Sequence, residues 1–196
     1  MSHGNWQKYH SQNPIQSFLL ERFLQKAELL TQSLSLSSVL DIGCAEGFVL
    51  SRIQKQGMRC VGIDCDGSAL SRGKGLHPSL EFCEGYAEKL PFEDNAFDMV
   101  VCMEVLEHVK DPVLVLQEIR RVSAKWVLLS VPHEPWFCMA NFLRGKNFLR
   151  FGNDPEHVNH WTGRRFSHLL QGNGLRVQKA TSSFPWLLRL AIVEGH

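Results

Sequence analysis

Between residues 38 and 132 the chain alternates short apolar runs with segments of helical spacing, and few folds accept that rhythm. "SVLDIG" (38–43), "MRCVGID" (58–64), "LEFCEG" (80–85), "FDMVVCM" (97–103) and "KWVLLSVP" (125–132) read as strands. Between them, "FVLSRIQKQG" (48–57) reads as a helix closed by Gly57, and "DGSALSRGKG" (66–75) as a shorter one. "DPVLVLQEIRRV" (111–122) opens with Asp-Pro, a cap and first-turn pair. Strands alternating with helices imply right-handed crossovers and a doubly wound, mostly parallel sheet. Upstream, "IQSFLLERFLQKAELL" (15–30) has the spacing of an amphipathic helix. A helix at about 163–171 is followed by "GLRVQKATSSF" and "PWLLRLAIV". The link between those last runs is too short for a crossover helix, so they form an antiparallel pair. The expectation is an α/β fold, one domain over 1–196, with seven strands and an antiparallel last strand.

Composition narrows the class. At 196 residues the chain can bury a real core, and its net charge of +1 gives no global pull toward nucleic acid or membrane. None of the six cysteines forms a Cys-x-x-Cys pair, which predicts reduced thiols and a cytoplasmic protein. The first residues have no apolar signal-peptide core, and even "FPWLLRLAIV" is interrupted by Arg189.

"VLDIGCAEG" carries a strand into a glycine turn at the mouth of a helix, where Gly43 and Gly47 let the backbone approach a ligand. Asp64 ends the next strand, the place where an acid grips ribose hydroxyls in open α/β sheets. Together they suggest an adenosine-containing ligand. The spacing G-x-G-x-x-G is absent, and Asp41 and Glu46 bring carboxylates into the turn. Carboxylates repel a pyrophosphate and tolerate a cation, which argues for a sulfonium or amine and against NAD. The competing readings are a turn with no ligand and a nucleotide dehydrogenase.

These residues, with "GIDCD", "YAEKLPFEDNAFDMVVCMEVLEHVKDP" and "LLSVP", resemble the class I S-adenosylmethionine (SAM)-dependent methyltransferases of type 11 over about residues 36–132. The resemblance implies a Rossmann-like methyltransferase fold and SAM as cofactor. It implies that Asp41, Gly43, Cys44 and Gly47 surround the methionine part and that Asp64 holds the ribose. Cys65, Ala87 and Glu88 then lie on the adenine side, and Met103 near the sulfonium end. Two positions depart from the pattern. Ala45 replaces a common glycine, and Tyr86 stands where the family often has an acid for the adenine amino group. Trp6, Tyr9 and His10 either close over SAM or form a helix-capping surface.

Methyl transfer from SAM is an in-line displacement at carbon, so the protein mainly supplies alignment and desolvation. A hydroxyl acceptor also needs a base. Histidines follow the fourth and fifth strands, and His108, His133 and His157 are the candidates, with His160 nearby. Segment 133–160 interrupts the strand–helix rhythm as a lid-like insert. Its part 133–153 is rich in aromatics and carries Arg144, Lys146 and Arg150. It reads either as two short helices over the acceptor pocket or as a basic amphipathic face for a lipid surface or lipid-like substrate. Ubiquinone-pathway O-methyltransferases are similar there by position and composition.

"EVLEH" (104–108) resembles the metal-binding pattern of small-RNA 2′-O-methyltransferases and some quinone-pathway O-methyltransferases. If the chain turns helical there, both carboxylates and the imidazole share a face. That resemblance implies Glu104, Glu107, His108 and His157 around a divalent metal ion, which would lower the pKa of the acceptor hydroxyl. The alternative is that the segment only finishes a strand and starts a helix, with Glu107 and His108 capping or pairing near the helix start and no metal bound. The functional expectation is a methyltransferase acting on a small-molecule hydroxyl. The alternatives are an RNA-end 2′-O-methyltransferase, for which no RNA-binding module is visible, and a SAM-binding protein without catalysis.

Overall fold

The alternation in sequence becomes one sheet with helices on both faces. The computed structural model describes residues 6, 9–133 and 158–195. The strands are β1 (Ser38–Ile42), β2 (Arg59–Asp64), β3 (Glu81–Glu84), β4 (Phe97–Met103), β5 (Ser123–Pro132), β6 (Leu175–Ser183) and β7 (Trp186–Val193). The helices are α1 (Pro14–Thr31), α2 (Phe48–Ile53), α3 (Gly67–Leu76), α4 (Pro112–Val122) and α5 (Gly163–Gly172). The sheet has seven strands in the order β3-β2-β1-β4-β5-β7-β6. β7 is antiparallel to both neighbours, β5 and β6, and all other pairings are parallel. The chain reverses direction of travel across the sheet between β1 and β4, and ligands in such sheets bind beyond the strand ends at that point.

The central strands are apolar on both faces, as sheets covered on both sides require. On one face Leu40, Ile42, Val100 and Cys102 meet Leu116 and Ile119 of α4 and Phe166 and Leu170 of α5. On the other Val39, Met99, Val101 and Leu128 meet Leu20, Phe23 and Leu30 of α1. Phe23 is 1% exposed, and its truncation to alanine would cost about 3–5 kcal/mol by loss of transfer energy plus a cavity.

Helix starts follow their caps. Asn13 Oδ1 accepts from the amides of Ile15 and Gln16, with Pro14 in the first turn of α1. Asp111 Oδ1 accepts from Val113 and Leu114, with Pro112 opening α4 as expected. One end differs from expectation. α2 stops at Ile53, because Gln54 has ψ 136° and leaves the helix. Gly57, with φ 79°, serves the turn into β2 instead. The expected insert at 133–160, and with it the lid or membrane face at 133–153, lies almost wholly outside the described residues.

The loop before β4, which follows the adenine-side positions, is anchored to α4 by one side chain. Arg121 donates to the carbonyls of Leu90 at 3.0 Å and Phe92 at 2.7 Å, to Asp94 at 3.0 Å, and to both oxygens of Glu118. Glu118 also accepts from the Leu90 amide at 2.7 Å. Arg121→Ala should therefore lower stability by about 1.5–3 kcal/mol, read as a lower denaturant midpoint at unchanged slope. An unaltered midpoint would show that the loop holds without the clamp.

Candidate active site

The glycine turn after β1 is built from left-handed backbone. Gly43, Ala45 and Gly47 have φ of 71°, 46° and 83°. A Cβ on Gly43 would collide with the Val105 side chain, so the close packing as well as the positive φ favours glycine there. Ala45 adopts the strained conformation that a glycine would take at lower cost. Its amide donates to Asp64 Oδ2 at 2.8 Å, and the Asp66 amide donates to Oδ1 at 2.8 Å. Asp64 thus braces the turn from the end of β2. Its oxygens keep further lone pairs for a ligand.

Beyond this turn lies a small enclosed cavity of about 20 Å³. Asp41, Gly43 and Cys44 line one side, Met103 and Glu104 the end of β4, and Tyr9, Phe23 and Phe48 supply aromatic walls. Tyr9 stacks on Phe48 with ring centroids 4.2 Å apart. Its hydroxyl pKa is pushed well up, by burial first and then by Asp41, Glu104 and Glu46. Tyr9 thus covers Phe48, the first residue of α2, while also lining the cavity, a position that agrees with both readings of the N-terminal aromatics.

The cavity is lined by acids. Asp41 is 2% exposed, and its pKa is raised well above the ordinary carboxylate range by burial and then by Asp64. Asp64 and Glu104 add carboxylates beside it. Glu46, expected to contribute a charge at the turn, points elsewhere. Its carboxylate is 1% exposed and pairs with Arg72 Nη2 at 2.7 Å. Cys44 also turns its side chain into the core. Its sulfur lies so close to Gly62 that a Cβ there would be 2.6 Å away. Burial, then Asp41 and Asp64, raise the Cys44 thiol pKa, which leaves an unreactive neutral thiol and a backbone role for this residue.

On the adenine side, Cys65 and Tyr86 are exposed, whereas Ala87 and Glu88 are half-buried. Tyr86 is 68% exposed and joins Lys89 in an isolated antiparallel bridge. Its ring thus stands outside the core.

The acceptor end turns on "EVLEH", which is not helical. Glu104 has φ 62°, residues 106–108 form a turn, and α4 begins only at Pro112. The expected shared face is therefore lost. Glu107 is 1% exposed, His108 on the same turn is exposed, and Glu104 lines the cavity. Among the described residues no group of three His, Cys, Asp or Glu side chains could hold a metal ion. The described members of the expected metal set, Glu104, Glu107 and His108, thus form no such group by themselves, and His157 lies outside the described residues. His133 follows β5 half-buried, its amide donating to the Pro185 carbonyl at 2.8 Å, and His160 is exposed.

One residue at this end escaped the sequence reading. Trp186 Nε1 donates to Glu104 Oε2 at 2.6 Å, and the indole packs on Phe23 with centroids 4.8 Å apart. The signal was topological. The first residue of an antiparallel last strand lands at the carboxyl end of the strand it pairs with, and Trp186 indeed sits opposite Pro132 of β5.

Residues 40–127 match a family described as a methyltransferase domain. The ubiquinone biosynthesis O-methyltransferase of Pasteurella multocida is 27% identical, the alignment covering 94% of this chain and 84% of the relative. The norajmaline N-methyltransferase of Rauvolfia serpentina is 34% identical over 49% of this chain, and the chain spans only 36% of that enzyme's length. It spans 57% of an uncharacterized Bacillus subtilis methyltransferase, which is 28% identical over 71% of the chain. Among solved structures, magnesium protoporphyrin IX methyltransferase from Synechocystis with bound S-adenosylhomocysteine (SAH) superposes with a TM-score of 0.72 at 14% identity, covering 93% of this chain and 88% of that one. A chain from the complex of the Haloferax volcanii Trm112 methyltransferase activator with a methyltransferase gives 0.73 at 18% identity, covering 92% and 93%. The chain is thus similar to a methyltransferase domain over residues 40–127, and its seven-stranded sheet with a reversed last strand has the fold of these solved methyltransferase structures.

Proposed function

We propose that the chain binds SAM and transfers its methyl group to a hydroxyl oxygen of a small-molecule acceptor. The observation that carries this reading is the left-handed glycine turn braced by Asp64 at the end of β2, beside a small cavity that Asp41 and Glu104 line. That donor set fits a cation with ribose hydroxyls and repels a pyrophosphate. When bound, SAM supplies an activated methyl group on a sulfonium.

The residues then have separable tasks. Asp64 accepts from ribose hydroxyls while bracing the Ala45 amide. Asp41 faces the cationic methionine end. Tyr9 and Phe48 exclude water over the turn. Glu104, fixed by Trp186, holds a carboxylate at the acceptor side, where it can take the hydroxyl proton. His133, at the end of β5, is the second candidate base, and His108 stands exposed outside this cavity.

The Pasteurella enzyme, an O-methyltransferase similar along nearly the whole chain, supports oxygen as the acceptor atom. Free thiols at Cys44, Cys60, Cys65, Cys83 and Cys102 support a reducing, cytoplasmic setting. One sheet running from residue 38 to 193 supports a single domain.

The test is calorimetry with SAH, followed by transfer of labelled methyl from SAM to a panel of phenols, alcohols and amines. Saturable SAH binding with label on hydroxyl acceptors is expected. Absence of SAH binding would refute the cofactor assignment, and label found only on amines would refute the oxygen acceptor.

A further inference from the structure

A second site lies on the other side of the molecule's last strand, between α5 and β7. It is an open groove of about 620 Å³, lined by Thr162, Arg164, Ser167, His168, Gln171 and Arg189, with the Gly163 backbone between them. Residues 164, 167, 168 and 171 fall at the spacings i, i+3, i+4 and i+7, one stripe along α5, flanking the Phe166 and Leu170 side that enters the core. Every side chain in this lining can donate a hydrogen bond, and none is a carboxylate.

Arg189 gives the groove a buried charge. It is 6% exposed, on the face of β7 that also carries Leu187. Its Nε donates to Ser167 Oγ at 2.9 Å, Nη1 to the carbonyls of Thr181 and Leu188 at 3.2 and 2.9 Å, and Nη2 to the Gly163 carbonyl at 3.1 Å. One Nη2 N–H has no acceptor among the described residues, and no acid pairs with this guanidinium among them. A buried guanidinium is costly when only neutral dipoles face it. Burial lowers its pKa accordingly, though it stays protonated. Arg164 adds a cationic donor and His168 a ring N–H at the rim, and the groove lies by the first turn of α5, whose amide dipoles favour an anion.

We infer that the α5–β7 groove binds a phosphate group, held between Arg189 at its floor and Arg164 and His168 at its rim. Planar guanidinium forks match phosphate oxygens, and the hydroxyls of Thr162 and Ser167 add donors to a lining without carboxylates. Two sources share this chemistry, a soluble phosphoester and a lipid headgroup. The site is distinct from the SAM cavity and does not depend on the proposed methyl transfer.

The test uses the full chain with two probes. Line broadening of inorganic phosphate in phosphorus NMR is measured against chloride at matched ionic strength. Co-sedimentation is measured with phosphatidylglycerol vesicles against phosphatidylcholine vesicles. Arg164→Gln/His168→Gln, both on the exposed rim, is the informative variant, because Arg189 substitutions disturb packing. SAH affinity, measured alongside, should be the same in variant and wild type. Phosphate binding weakened about tenfold in the variant supports the site with a soluble source. Vesicle binding specific for the anionic lipid and lost in the variant supports the site with a headgroup source. Absence of binding to either probe, or equal binding by variant and wild type, overturns the proposal.

Discussion

Asp64→Ala should weaken SAH binding by about 30- to 150-fold, the loss of about 2–3 kcal/mol expected for charge-assisted hydrogen bonds to two ribose hydroxyls. It should also lower stability, because Asp64 does two jobs. Its Oδ2 and Oδ1 accept from the amides of Ala45 and Asp66 at 2.8 Å each, and those half-buried donors would lose their acceptor. Ala45 sits at φ 46°, a conformation that persists only while its surroundings hold it, so the glycine turn should loosen with it. Asp64→Asn separates the two jobs. It retains one acceptor oxygen and removes the charge, so it should recover part of the stability and less of the affinity. Calorimetry and thermal unfolding on both variants check this. Unchanged affinity in Asp64→Ala would remove Asp64 from the ligand site and leave it a brace alone.

The strands were legible because a doubly wound sheet makes few demands. Each central strand is buried on both faces, so "FDMVVCM" and "KWVLLSVP" need only be apolar, and they became β4 and β5 within two residues of the expected ends. The reversed final pair was legible from a link too short for a helix. The candidate site was legible only where the backbone dictates it. Gly43 and Gly47 took the left-handed conformations a ligand-approaching turn requires. Side-chain directions were not legible. Glu46 and Asp41 are both acids near one turn, but Arg72 on α3 draws Glu46 away while Asp41 lines the cavity. "EVLEH" offered helical spacing, yet the positive φ of Glu104 breaks the face before it begins. Arg189 read as a mere interruption of an apolar run, since nothing local says that Gly163 and Ser167 would supply acceptors from another element.

Asp41→Asn should stabilise the ligand-free protein at neutral pH and weaken binding of a cationic ligand. The direction follows from the raised pKa, caused first by burial and then by Asp64. In the unfolded chain this carboxyl titrates in the ordinary range, near about 3.9. Between that value and the raised folded one, the folded protein holds more protons than the unfolded. Its stability therefore falls as pH rises through that window. An asparagine, equal in shape and unable to ionise, removes that slope. Thermal unfolding across pH should show the variant gaining on wild type as pH rises, with Tm moving by about 2–4 °C for each kcal/mol recovered. Binding runs the other way. A cation beside Asp41 favours the carboxylate, so binding should drive a proton off wild-type Asp41, and the apparent enthalpy should change with the ionisation enthalpy of the buffer. The variant should lose that buffer dependence and bind SAM about tenfold or more weakly, as expected for removal of a charged hydrogen-bonding group. SAM and SAH discriminate further, because only SAM carries the sulfonium. A variant that binds both as wild type does, or that melts lower at every pH, would show that Asp41 is a structural acid and not the counter-charge of the site.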